Sequence, residues 1–214
     1  MDRKIYLYPK WVRIWHLSFV VMFVILAVTG ISMHYTGRKE HAIAIDFAQA
    51  VKWHGITAIL FIISYLSFVI GNILTANGKY YKPEAESLRS GLRAQVKYYI
   101  SGMFKKEKTP FPVNPQRKFN PLQKITYILV MYLALPLLII SGLGLFFPGI
   151  TGNKFHGASG LIPADIIHIS AGFILTLFMV VHIYSCTLGP KPFSLFREMI
   201  TGYHEEDEGE GTIK

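Results

Sequence analysis

Residues 163–188 read PADIIHISAGFILTLFMVVHIYSCTL. The run is apolar and long enough to cross a bilayer as a helix. Within it, His168 and His182 stand fourteen residues apart. At about 1.5 Å and 100° per residue, fourteen steps separate the two rings by ~21 Å along the axis and return them to within ~40° of one face. An ionisable side chain at membrane depth is expensive, and its presence points to function. Two such histidines on one stripe, near opposite leaflets, predict two metal centres stacked across the membrane. His16 and His54 open two other apolar runs. Four imidazoles make two pairs, and a pair of imidazoles on opposite faces of a macrocycle is how b-type haem is held.

Working outward, three more runs qualify as spans: roughly 13–35, 51–75 and 122–147, with 163–188 as the fourth. Strands are not expected, because the runs lack period-two alternation and are too long. Pro136 is expected to kink the third helix. The fold class expected is an all-α membrane protein, a four-helix transmembrane bundle forming one domain over 1–214. Composition agrees: 51% of the 214 residues are hydrophobic and 16% charged, where a soluble domain carries about 25% charged. The formal charge of +9 does not indicate a nucleic-acid partner, because the basic residues gather between the apolar runs. Of the 22 lysines and arginines, eighteen lie in the N-terminal flank, the 2–3 connection and the C-terminal tail. That bias puts both termini and the 2–3 connection in the cytoplasm of a bacterial inner-membrane, multi-pass protein. The first run is over 20 residues long with no small-residue cleavage site behind it, so it reads as a retained anchor. The lone cysteine, Cys186, allows no internal disulfide and no Cys-rich cluster motif; it reads as a small apolar filler.

The 2–3 connection is too long to be structureless. Leu88, Leu92, Val96, Tyr99, Ile100 and Met103 recur at helical spacing between 84 and 104, with Arg89, Arg93 and Lys97 elsewhere on the wheel. An interfacial amphipathic helix is expected, basic toward anionic headgroups. Residues 205–214, beginning EEDEGEG, are expected to form a disordered acidic tail.

Topology selects the pairs. His16 begins the first span inside, and the fourth span runs outside to inside, so His16 pairs with His182 at the inner face. His54 and His168 pair at the outer face. His34, eighteen residues after His16 and on the same wheel face, is the alternative to His54. His41, His156 and His204 fall in connections or the tail and read as surface residues.

These residues resemble a known family. The fourth run carries H-x3-G-x9-H-x-Y on His168, Gly172, His182 and Tyr184. The first run opens RIWHLSFVVMFVILAVTGIS with His16 and Gly30, and the second has WHG at 53–55. The third opens FNPLQK and later has SGLG from Ser141. Together they are similar to the di-haem cytochrome b membrane subunits of respiratory formate dehydrogenase (the gamma subunit), thiosulfate reductase and Ni,Fe-hydrogenase complexes. The resemblance implies two haem b groups and electron transfer between an outer-face iron–sulfur or multihaem subunit and the membrane quinone pool. Quinone chemistry would lie near the inner haem, where Asn120 and Gln123 look like that family's quinone-site Asn and Gln. Both residue types also cap helices, which is the competing reading of the pair. Pro121 departs from the family's pattern. Two other functions remain: a stand-alone haem b membrane reductase, and a haem-free membrane assembly or transport protein. The outer connections, about fifteen residues each, are too short to hold a cofactor of their own and favour docking of a separate subunit.

Overall fold

The computed structural model describes residues 4–36, 45–82, 85–105, 107–151, 154–155, 158–159, 161–189 and 193–205. In chain order, β1 (Lys4–Tyr6) precedes α1 (Lys10–Thr36), α2 (Phe47–Leu74) and a 3-10 turn (Ala76–Tyr81). Then come α3 (Ala85–Lys97) and α4 (Pro121–Phe146), the latter interrupted by a π turn over Val130–Ala134. A two-residue pairing of β2 (Lys154–Phe155) with β3 (Ala158–Ser159) follows. The chain ends with α5 (Leu161–Cys186), α6 (Ser194–Thr201) and β4 (Tyr203–Glu205).

The four long helices are the expected spans, each within four residues of its sequence bounds. All are long and apolar enough to cross a membrane. Their large side chains are mostly exposed, with Ile73 at 76% and Leu74 at 78%. Such a surface is tolerated where hydrocarbon, not water, surrounds the helix. The protein is an all-α membrane bundle. In α4 the π turn sits just before Pro136. Proline has no N–H for the carbonyl four residues back, and its ring crowds that turn. The widened turn absorbs the mismatch, so the expected irregularity takes the form of a π turn.

By contacts the chain forms two compact units, 1–13, 72–133 and 181–214 in the first, 14–71 and 134–180 in the second. In the second, α1 and α2 meet through aromatic rings. Trp15 stacks on Phe68 at 4.1 Å, Phe19 stacks on Phe61 at 4.1 Å, and Trp15 Nε1 donates to the Ser64 carbonyl at 2.9 Å. Phe61 and Phe68 are buried with Ala50, Leu135 and Leu175.

In the first unit the two ends of the chain meet. β1 pairs antiparallel with β4, Lys4 opposite Glu205 and Tyr6 opposite Tyr203, and Arg13 donates through Nη1 to the Ile200 carbonyl. Residues 4–6 and 203–205 are therefore held side by side. Glu205, expected to begin a disordered tail, is instead the last residue of β4, because the N-terminal strand supplies its backbone partners; 206–214 lie outside the described residues. His204, expected at the surface, is buried, with its Nδ1 2.8 Å from Glu198 Oε1. His41 and His156 lie outside the described residues. Gly202 closes α6 with φ +88°, and a Cβ there would meet Tyr6 Cε2 and the Tyr8 carbonyl at 2.8 Å. Gly202→Ala should destabilise the protein by at least about 1–2 kcal/mol from the left-handed backbone alone. A lowered thermal midpoint in detergent would register this.

Candidate functional site

His54 lies early in α2 and His168 early in α5, both in the second unit and both partly buried. Their ring centroids are 6.2 Å apart, with the rings at 74° to each other. Neither Nδ1 is idle. That of His54 lies 2.8 Å from Thr29 Oγ1 of α1, a hydroxyl that donates to the Ile25 and Leu26 carbonyls at 2.7 and 3.1 Å. The hydroxyl proton is thereby committed to carbonyls, so the oxygen accepts from His54 Nδ1–H. The Nδ1 of His168 lies 3.1 Å from the Leu138 carbonyl and 3.3 Å from Ser141 Oγ, both on α4. A carbonyl can only accept, so this Nδ1 also carries the proton. Thr29 and Ser141 are 2% and 6% exposed, so water does not compete for these bonds. In both rings the remaining nitrogen, Nε2, is the one with a lone pair. Fixing the tautomer and orientation of an imidazole through its other nitrogen is how metal-binding histidines are held.

The separation suits one metal ion held from both sides. With metal–nitrogen bonds of about 2 Å and each ring centre about 1.1 Å behind its nitrogen, the centroids would stand about 6.2 Å apart. Two glycines line the same place. A Cβ on Gly30 would lie 3.5 Å from His54 Cε1, and one on Gly142 would lie 2.9 Å from His168 Cε1. The absence of side chains at both positions lets each imidazole lie against the neighbouring helix in this orientation. The donor set, two neutral imidazoles on separate helices, is that of a b-type haem. Among the described residues no group of three or more His, Cys, Asp or Glu is gathered for a protein-bound metal ion.

The other two histidines fall in different units. His16, in the second, lies edge-on to Trp15 at 6.5 Å. His182, in the first, lies edge-on to Tyr127 at 5.9 Å, and Tyr127 in turn is edge-on to Phe119 at 5.0 Å. His34 is exposed at the end of α1, against Tyr35 at 4.9 Å.

Asn120 and Gln123 form a capping box at the start of α4. Asn120 Oδ1 accepts from the Gln123 backbone N–H at 2.8 Å, and Gln123 Oε1 accepts from that of Asn120 at 3.1 Å. Asn120 Nδ2 donates to Tyr99 OH at 3.0 Å. The box uses the oxygen of Gln123 and not its amide nitrogen. Pro121, first in the helix where no N–H partner is needed, packs on α3: a Cβ on Gly91 would lie 2.8 Å from Pro121 Cγ.

The sequence does not point to Thr29 or the Leu138 carbonyl, and it marks Ser141 only as the start of SGLG, not as a partner of His168. Their signal was faint: small hydroxyls one residue before Gly30 and Gly142.

The profile of the prokaryotic cytochrome b561 family matches residues 7–202. The chain is 36% identical over 201 residues to the Escherichia coli (strain K12) protein "Putative cytochrome YdhU", covering 94% of this chain and 75% of that one. No solved structure matches it. A family match over every described helix agrees with paired imidazoles set between apolar spans, and the chain belongs to the prokaryotic cytochrome b561 family, as a multi-pass inner-membrane protein that binds haem b and transfers electrons.

Proposed function

We propose that this chain, as one cytochrome domain, is the membrane-anchoring di-haem b subunit of a larger oxidoreductase of the formate dehydrogenase, thiosulfate reductase or hydrogenase kind. It carries electrons between an outer-face iron–sulfur or multihaem subunit and the quinone pool. The observation that carries this reading is the His54–His168 pair, 6.2 Å between ring centres with both Nδ1 atoms engaged. His54 and His168 hold the outer haem, and His16 and His182 the inner one. When bound, the haems supply one-electron redox chemistry.

The chain's own residues do the rest. Thr29 and the Leu138 carbonyl keep their imidazoles in the tautomer that presents Nε2. Exposed apolar side chains of the four spans exclude water and seat the protein in lipid. Tyr127 fixes the plane of the His182 ring. At the start of α4 the Gln123 amide offers a hydrogen bond to a quinone oxygen, while Asn120 holds the helix end that positions it. Helix α3 lies on the cytoplasmic surface. In support, Val96, Ile100 and Phe104 are 40, 72 and 77% exposed beside Arg93 and Lys97, while Gly91 and Gln95 face inward.

Haem content and spectrum test this reading. Purified protein should contain about two haem b per chain, show b-type bands on reduction, and be reduced by a quinol. One haem per chain would overturn the di-haem arrangement, and a colourless, folded protein would overturn the whole reading. Copurification of an outer-face iron–sulfur or multihaem chain is the expected companion result; full quinol-linked activity without one would favour the stand-alone reductase.

A further inference from the structure

Lys118 lies three residues before α4 and is 6% exposed. Its Nζ donates to Asn77 Oδ1 at 3.1 Å and stands over the faces of Tyr80 and Tyr8, 4.2 and 5.5 Å from their centres. Asn77 passes the chain on, its Nδ2 donating to Asn72 Oδ1 at 2.7 Å, and Asn72 Nδ2 to Tyr132 OH at 3.4 Å. Both asparagines are 7% exposed.

None of these partners is an anion. Burial holds the Tyr8 and Tyr81 phenols above their ordinary range, so they stay neutral. The charge that faces Lys118 from the 3-10 turn is another cation, Lys79. The adjoining Arg117 turns away, onto the Phe111 ring and the Pro112 carbonyl. Among the described residues of this unit the buried carboxylate is Glu198, and it is taken by His204. An ammonium kept from water by one amide and two ring faces is poorly compensated. Burial, and after it the charge of Lys79, pushes Lys118 down to about 8. A purely mechanical tie between the 3-10 turn and α4 needs no charge. A buried amine that exchanges its proton easily near neutral pH is a functional feature.

We propose that Lys118 is the proton-exchanging residue of the quinone reaction, moving protons between cytoplasmic water and the start of α4. The inference rests on the quinone reading of Asn120 and Gln123, two and five residues further on. Oxidation of one quinol releases two protons and two electrons, and the electrons would leave one at a time through the haems to the outer-face partner. In each of two cycles the neutral amine takes one proton to become the ammonium and then gives it to water. Quinone reduction runs the same exchanges in reverse, with electrons from the haem and protons from water.

The test is the rate at which menadiol reduces the haem of the purified holoprotein across the pH range. The neutral amine is the acceptor, so the rate should rise through pH about 8. Lys118→Met should lower the rate at least tenfold above that pH and abolish the rise. Lys118→Arg, permanently charged, should do the same while keeping the side chain's bulk. Lys79→Gln, a change at an exposed residue, removes the neighbouring charge and should move the rise to higher pH. Resting haem spectra should be the same in all four proteins, which separates proton exchange from misfolding. A rise that survives Lys118→Met, or that Lys79→Gln leaves in place, would overturn the inference and spare the quinone reading. A wild-type protein that menadiol does not reduce at any pH would overturn both.

Discussion

Replacing His168 with alanine should lower haem content from about two groups per chain to about one, and His182→Ala should do the same to the other group. The two variants should differ. On the proposed pairing, the haem that survives His168→Ala would be the one assigned to His16 and His182, and quinol should still reduce it. The haem that survives His182→Ala would be the one assigned to His54 and His168, and quinol-driven reduction should fail although dithionite still reduces it. The asymmetry follows from the assignment of quinone chemistry to the inner end, so a haem count and two reductants test ligands and direction together. Loss of both haems, or of neither, from either variant would reject the pairing.

The second large effect is expected at Gly142. A methyl group there would lie 2.9 Å from His168 Cε1 and 3.2 Å from its Nδ1. The ring cannot yield without leaving the Leu138 carbonyl, which sets its tautomer. Gly142→Ala should therefore weaken haem retention about 10–100-fold, the range seen when a ligand's supporting hydrogen bond is lost. Gly142→Val should remove that haem altogether. Gly149→Ala is the control: a Cβ there meets nothing within 4 Å. Haem titration of the three variants, with thermal midpoints to confirm folding, gives the comparison. Equal retention by Gly142→Val and Gly149→Ala would sink the argument.

Much of this was legible in the sequence because membrane helices announce themselves. Apolar runs of the right length fix the spans, and a histidine inside such a run stands out against its surroundings. The capping box could be read from Asn120, Pro121 and Gln123 for the same reason: it is local, three residues apart. What could not be read depends on how helices are rotated against one another. Thr29 supports His54 and Ser141 supports His168, yet each hydroxyl also satisfies itself on its own helix, so neither looks different from an ordinary Ser or Thr in a span. Lys118 was hidden by company. Counted with its basic neighbours it belongs to the cytoplasmic charge, and only burial distinguishes it from them. The pairing of β1 with β4 was invisible because each strand has three residues and they lie at opposite ends of the chain.

That last pairing carries a consequence for how the protein is made. β1 is made before the four spans and its partner β4 after them, so all four must be inserted before the two can meet. Until then β1 offers an unsatisfied edge to anything extended nearby, and contacts of such sequence separation form slowly. Closure of this clasp is thus a late event in biogenesis. A nascent chain arrested after α5 should hold its spans in the bilayer while its first residues remain open to protease.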